Sequence, residues 1–128
     1  MSWNGIFFCN FRVTNGVKQG GILSPILFCI YIDVFLLSLH DSGVGCFIGE
    51  YFVGALAYAD DIVLLAPSAH ATCRLLAICD EYCSEYSASF NADKSKCIIF
   101  HARHISHIVY EKLQPFVIGR NKIECVPR

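Results

Sequence analysis

Asp60 and Asp61 stand side by side in the tetrapeptide Tyr58-Ala59-Asp60-Asp61, between two uncharged apolar runs at residues 52–58 and 62–66. Each run has strand length, so the pattern predicts a β-hairpin with two carboxylates at its tip. Anions held between buried strands lose hydration, and a cation must offset that loss. A divalent metal is the usual partner. Mg²⁺ in particular is held by one or two protein carboxylates together with substrate phosphates. The doublet therefore points to phosphoryl-transfer chemistry. Asp is also a common turn residue, and the tetrapeptide by itself leaves a plain acidic turn equally open.

A second set of side chains has the chemistry of a metal site. Cys97, His101, His104 and His107 are spaced closely enough to suggest zinc. No Cys-x-x-Cys accompanies them, and Cys97 falls in a strand pattern with its thiol turned inward. A solvated, histidine-bearing loop is the expectation here.

The elements that must position these groups follow from periodicity and punctuation. Residues 11–18 read as extended and lead into the Gln19-Gly20-Gly21 turn. Ser24-Pro25 has the form of an N-cap followed by a first-turn proline. It predicts a helix over 25–40, closed by Asp41-Ser42-Gly43 and apolar around most of its circumference, as a core helix is. The acidic hairpin spans 51–66. Pro67-Ser68 opens a second helix over 69–87, with Ser68 as N-cap and Leu75, Leu76, Cys79, Tyr82, Cys83 and Tyr86 recurring at helical spacing. Residues 96–100 read as a third strand, and 116–126 as a final hairpin around Gly119-Arg120-Asn121-Lys122. The order is helix, two strands, helix, strand, without repeats or a low-complexity linker.

Composition sets the class. The 128 residues suffice for one domain, and with 55% hydrophobic and 16% charged residues the chain must bury most of itself or lie against something else. Charge is unevenly spread. Residues 1–93 carry three basic against nine acidic side chains, and residues 94–128 carry seven against two. The basic third suits either a nucleic-acid backbone or a solvated surface. Cys29, Cys73, Cys79 and Cys97 sit in apolar or helical patterns, where a thiol packs as a small hydrophobe. The first residues do not have the form of a secretory leader. A reducing, intracellular setting (nucleus or cytoplasm) without secretion is expected. Residues 22–39 approach membrane-spanning length, but Asp33 near their centre would cost roughly 2.5–3.5 kcal/mol on insertion scales. No membrane association is expected.

Three stretches together resemble the reverse transcriptases, most closely those of non-LTR (LINE-like) retrotransposons. They are Gly16-Val-Lys-Gln-Gly-Gly-Ile-Leu-Ser-Pro-Ile-Leu-Phe28, then Tyr58-Ala-Asp-Asp61, then Phe90-Asn-Ala-Asp-Lys-Ser-Lys96. Their order and spacing match from about residue 11 to 126. The resemblance implies an RNA-directed DNA polymerase, an α+β palm and two Mg²⁺ ions about 3.5–4 Å apart that stabilise the attacking and leaving oxygens. RNA template, DNA primer and dNTP would be the partners. Asp60 then corresponds to the essential metal ligand and Asp61 to its neighbour. Tyr58 and Ala59 would face the primer end and the incoming nucleotide, Ala59 leaving room for the nucleotide ring. Gln19 and Gly20 would lie near the nucleotide's sugar and the templating base. Lys94 would offset charge on the departing pyrophosphate.

The departures from the family pattern matter as much. The family supplies a third metal-binding aspartate from an earlier strand, central in the palm sheet, and no such strand precedes residue 11. Asp33 and Asp41 are poor substitutes. Fingers elements and most of the thumb are also not recognised. The expectation is an incomplete palm, helix, hairpin, helix and strand without the central first strand, from a truncated copy or an incompletely predicted gene. A strand such as 62–65 would then expose an unpaired edge. The chain alone is expected to be poorly soluble and inactive. Two other readings stand beside it: a non-catalytic remnant that binds nucleic acid weakly through its basic third, and a membrane-inserted protein.

Overall fold

The computed structural model describes residues 20–100 and 115–126, together with the backbone of two short antiparallel strands, β1 (Ser2–Trp3) and β2 (Ile6–Phe7). Residues 11–18, Gln19, His101, His104 and His107, on which several expectations fall, lie outside the described residues.

The first helix, α1 (Ser24–Asp41), agrees with its expected span to within a residue at each end. Its start is organised differently from the expectation. Leu23 holds the N-cap position, Ser24 is the first helical residue, and no side chain caps the turn. The Ser24 N–H instead donates to the Gly21 carbonyl at 3.1 Å, so a backbone turn takes up a donor that a capping hydroxyl would otherwise satisfy. The Asp41-Ser42-Gly43 stop is present: Gly43 has φ +64°, and its N–H donates to the His40 carbonyl. The larger correction concerns burial. Only Phe35 and Leu39 of α1 are buried, while Ile26, Leu27, Ile30, Tyr31, Val34 and Leu37 are exposed. A helix apolar on every side buries only the residues that find a partner, here Phe35 and Leu39, with Phe28 and Ile32 half-buried at the same four- and three-residue spacing. By length and mean hydropathy α1 also meets the requirement for a membrane span. Cys29, expected to pack inward, is exposed on the same open side.

That partner is α2 (Ala69–Tyr86), whose buried residues Ala71, Leu75, Cys79 and Tyr82 repeat at the expected spacing, with Leu76 beside them. Ser68 caps it as expected, its hydroxyl accepting from the Ala71 N–H at 3.2 Å. The two helices are joined by aromatic packing. Tyr82 lies 4.8 Å from Phe35 between ring centroids, and its hydroxyl donates to the Tyr31 carbonyl at 3.0 Å. Tyr86 meets Tyr31 edge-on at 5.9 Å. Such contacts add about 0.5–1.5 kcal/mol beyond area burial.

The predicted single hairpin over 51–66 is two hairpins. β3 (Phe47–Ile48) pairs with β4 (Tyr51–Phe52), and β5 (Ala55–Tyr58) pairs with β6 (Asp61–Leu64). The division falls at Gly54. Its Cα lies close against Gly45, and a Cβ there would overlap the Phe52 ring. A side chain at Gly54 would therefore have to displace the Phe52 ring where the run divides.

After α2 come β7 (Lys96–Ile98), β8 (Val117–Ile118), β9 (Asn121–Lys122) and β10 (Glu124–Val126). β7 is shorter than the expected strand over 96–100. β8 and β9 form the expected final hairpin around Gly119-Arg120. Its turn is pinned to α2 by the Gly119 N–H, which donates to Asp80 Oδ1 at 2.6 Å. β10 was not expected as a separate strand. It pairs parallel with β7, and Lys96 Nζ and Glu124 Oε2 close an ion pair of 2.5 Å at its start. The core gathers Phe35, Leu39, Leu75, Leu76, Cys79, Tyr82, Ala92, Phe116 and Ile118. The result is a small α+β unit of two packed helices and short two-stranded sheets.

Candidate active site

The β5–β6 hairpin decides where the carboxylates stand. Its register pairs Ala55 with Leu64, Leu56 with Val63, Ala57 with Ile62 and Tyr58 with Asp61. Residues paired across a ladder share a face, and alternate residues change face. Ala55, Ile62 and Leu64 therefore point inward, and all three pack against the core. Leu56, Val63, Tyr58 and Asp61 form the opposite, outer face, and all are exposed. Tyr58 is 86% exposed, so its ring is free to meet a flat partner.

The turn itself is Ala59-Asp60, with Asp61 already in the strand rather than in the turn. Ala59 has φ +51°, a left-handed conformation that a residue with a Cβ adopts at a cost of about 1–2 kcal/mol. Both carboxylates are exposed, and neither joins an ion pair among the described residues. The expectation that they are held between buried strands is corrected here. The strands bury one face only, and the tip stands in solvent. Two adjacent, unpaired carboxylates are a suitable oxygen donor pair for a hard divalent cation that keeps other positions for water or phosphate. No group of three or more His, Cys, Asp or Glu side chains converges as a metal site among the described residues. The pair fits Mg²⁺ as part of a ligand set rather than as a complete one.

Of the other sequence-predicted residues, Gly20 has φ +73° in the turn before α1, a conformation suited to glycine. Lys94 is exposed in the loop between α2 and β7, where its backbone N–H donates to Asn91 Oδ1 at 3.2 Å. The structure thus brings Tyr58, Ala59, Asp60 and Asp61 together, while Gly20 and Lys94 stand on separate turns. Cys97 is half-buried and faces Cys125, its register partner on β10.

Sequence reasoning missed a cavity of about 430 Å³ behind the hairpin. Ile62 and Leu64 of β6 line it on one side and Cys97 and Ile98 of β7 on the other, with Phe35 and Leu76 among its lining. The two carboxylates are not part of it. β6 pairs only with β5, and β7 only with β10, among the described residues. Each therefore keeps an edge that is unpaired among the described residues. The signal in the sequence was the apolar run after Lys96, whose pairing partner could not be read from pattern alone.

Residues 3–120 match the family described as reverse transcriptase (RNA-dependent DNA polymerase). The chain is 32% identical over 118 residues, 92% of its length, to the retrovirus-related Pol polyprotein from type-2 retrotransposable element R2DM of Drosophila melanogaster. It is 39% identical over 87 residues, 67% of its length, to the Pol polyprotein from type-1 retrotransposable element R2 of Popillia japonica. Over 55 residues, 43% of its length, it is 46% identical to the corresponding polyprotein of Nasonia vitripennis. The chain spans 11%, 12% and 5% of the length of these three relatives. No solved structure matches it. With the match covering nearly every residue and including the carboxylate-tipped hairpin, the chain belongs to the reverse transcriptase family, of the non-LTR retrotransposon type.

Proposed function

We propose that the Asp60-Asp61 tip is the metal-binding part of a polymerase palm, and that this chain supplies one portion of the site for RNA-templated DNA synthesis. The observation that carries this reading is the exposed carboxylate pair on a hairpin whose other face is anchored in the core. Mg²⁺, when bound, neutralises charge on the phosphates and on the attacking primer oxygen. Asp60 and Asp61 furnish oxygens for it. Tyr58, on the same face as Asp61, offers a ring to the primer end, and the small Ala59 leaves room for the incoming dNTP. By the family resemblance, Gln19 and Gly20 would serve the nucleotide sugar and templating base, and Lys94 the departing pyrophosphate. RNA template, DNA primer and dNTP are the partners. The setting is intracellular, in nucleus or cytoplasm, without a membrane.

The edges of β6 and β7, unpaired among the described residues and both lining the cavity, support a further strand seated there, one that brings the third carboxylate. The 128 residues alone are then inactive, as a partial palm. The lack of a third converging carboxylate among the described residues also favours a second reading, a non-catalytic remnant. Exposed Arg120 and Lys122 would give it weak nucleic-acid binding.

Primer extension on an RNA template with Mg²⁺ separates these readings. The chain is assayed alone, and again with the segment that precedes the matched region in the relatives fused ahead of Met1. Extension is expected only from the fusion and is lost on Asp60→Ala. Because Asp60 is exposed in a turn, that substitution should leave stability within about 0.5 kcal/mol. Extension by the chain alone would overturn the requirement for another strand. A folded but inert fusion would favour the remnant.

A further inference from the structure

We propose that Cys97 and Cys125 are a reversible dithiol–disulfide pair that clips β10 to β7. The two residues are register partners on adjacent parallel strands. Neighbouring strands lie about 4.8 Å apart, inside the ~4.4–6.8 Å Cα separation that a disulfide spans. Partners in a ladder share a face, and here that face looks inward: both cysteines are half-buried and pack against the core. One register position earlier, the Lys96–Glu124 ion pair holds the same alignment. Both are reduced in this structure.

The oxidant is a small disulfide of the glutathione class. Burial first, and the neighbouring Cys125 second, push the Cys97 thiol up to about 11. A thiol held that high is the poorer first nucleophile, so Cys125 makes the first attack: it gives up its proton, displaces one thiol from the small disulfide and forms a mixed disulfide. Cys97 then gives up its proton, attacks Cys125 Sγ and expels the second thiol. Two electrons pass from the cysteine pair to the small disulfide, and the two protons end on the released thiols. Closing this link fastens the segment that carries Phe116 and Ile118 into the core, and it fixes the β7 wall of the cavity. The order of that wall becomes dependent on the thiol–disulfide balance around the chain.

The test is oxidation of the full 128-residue chain with oxidised glutathione, followed by non-reducing peptide mapping. The expected result is one linked peptide pair carrying Cys97 and Cys125, with the free-thiol count down by two from eight and restored by dithiothreitol. A parallel reaction in guanidinium should scatter the linkages among the cysteines. A stable glutathione adduct on Cys125, linkage of Cys97 elsewhere, or equal yield of the 97–125 link in the denatured chain would each overturn the proposal. In Cys97→Ser, Cys125 should stop at the mixed disulfide. Loss of that adduct's resolution in Cys97→Ser, with full resolution in Cys83→Ser, assigns the second step to Cys97.

Discussion

Ala59 carries the local strain of the hairpin tip, because its φ of +51° is one that glycine adopts freely and alanine does not. The strain sits beside the carboxylates, where unfavourable backbone states tend to gather at functional sites. Ala59→Gly should relieve it and leave the chain unchanged or up to about 1 kcal/mol more stable, the gain offset in part by the freer unfolded chain. Ala59→Val should cost about 1–3 kcal/mol, since a β-branched side chain tolerates this region least. Guanidinium denaturation followed by circular dichroism measures both; a valine variant as stable as the parent would show that the turn is not left-handed in solution. The identity of the tip was legible in the sequence, because an acidic doublet between two strand-length runs has few other forms. Its exposure was not legible. Whether a strand buries one face or two depends on what packs over it, and the sequence alone does not say that Leu56 and Val63 face outward.

Among the elements, α2 was the most legible, and its parts explain why. A four- and three-residue apolar repeat, a Ser68 cap and a left-handed Ser87 at the end all act within one segment. Ser68→Ala should accordingly cost about 1 kcal/mol, leaving the Ala71 N–H without its side-chain acceptor. Cys79 gives α2 a pH signature. Burial, with Cys83 and Asp80 adding to it, pushes its thiol from 9.0 to about 12. A folded pKa raised above the unfolded one contributes stability that is fully present below about 9. That stability is lost as pH rises toward 12, where the unfolded chain has released a proton the folded chain still holds. Unfolding midpoints taken across this range should fall for the parent and fall less steeply for Cys79→Ala. Equal slopes would place the thiol in solvent. By contrast, the break at Gly54 and the parallel β7–β10 pairing were not legible, because each depends on contacts between residues distant in sequence.

At the scale of the whole molecule, α1 presents a conflict between composition and burial. Its sequence is that of a core helix, yet Leu27, Ile30 and Leu37 are about half exposed, and the outer hairpin face adds Leu56 and Val63. Exposed apolar surface of this kind drives association, and the edges of β6 and β7 that are unpaired among the described residues add backbone donors and acceptors that invite another strand. The chain should therefore self-associate at micromolar concentration. Replacing Leu27, Ile30 and Leu37 with lysine should shift it toward monomer in size exclusion with light scattering. Helix content should stay the same, because exposed sites away from partners usually change stability by no more than about 0.5 kcal/mol each. Phe35→Ala, on the buried stripe of the same helix, should cost about 3–5 kcal/mol through loss of its packing against Tyr82 and Phe90. The two substitutions separate the faces: one set alters assembly and spares the fold, the other alters the fold. If the unmodified chain is a monomer at tens of micromolar, α1 is covered by something other than a second copy. If the lysine variant unfolds as Phe35→Ala does, the open face of α1 is buried in solution, and the helix is the core element its composition suggested.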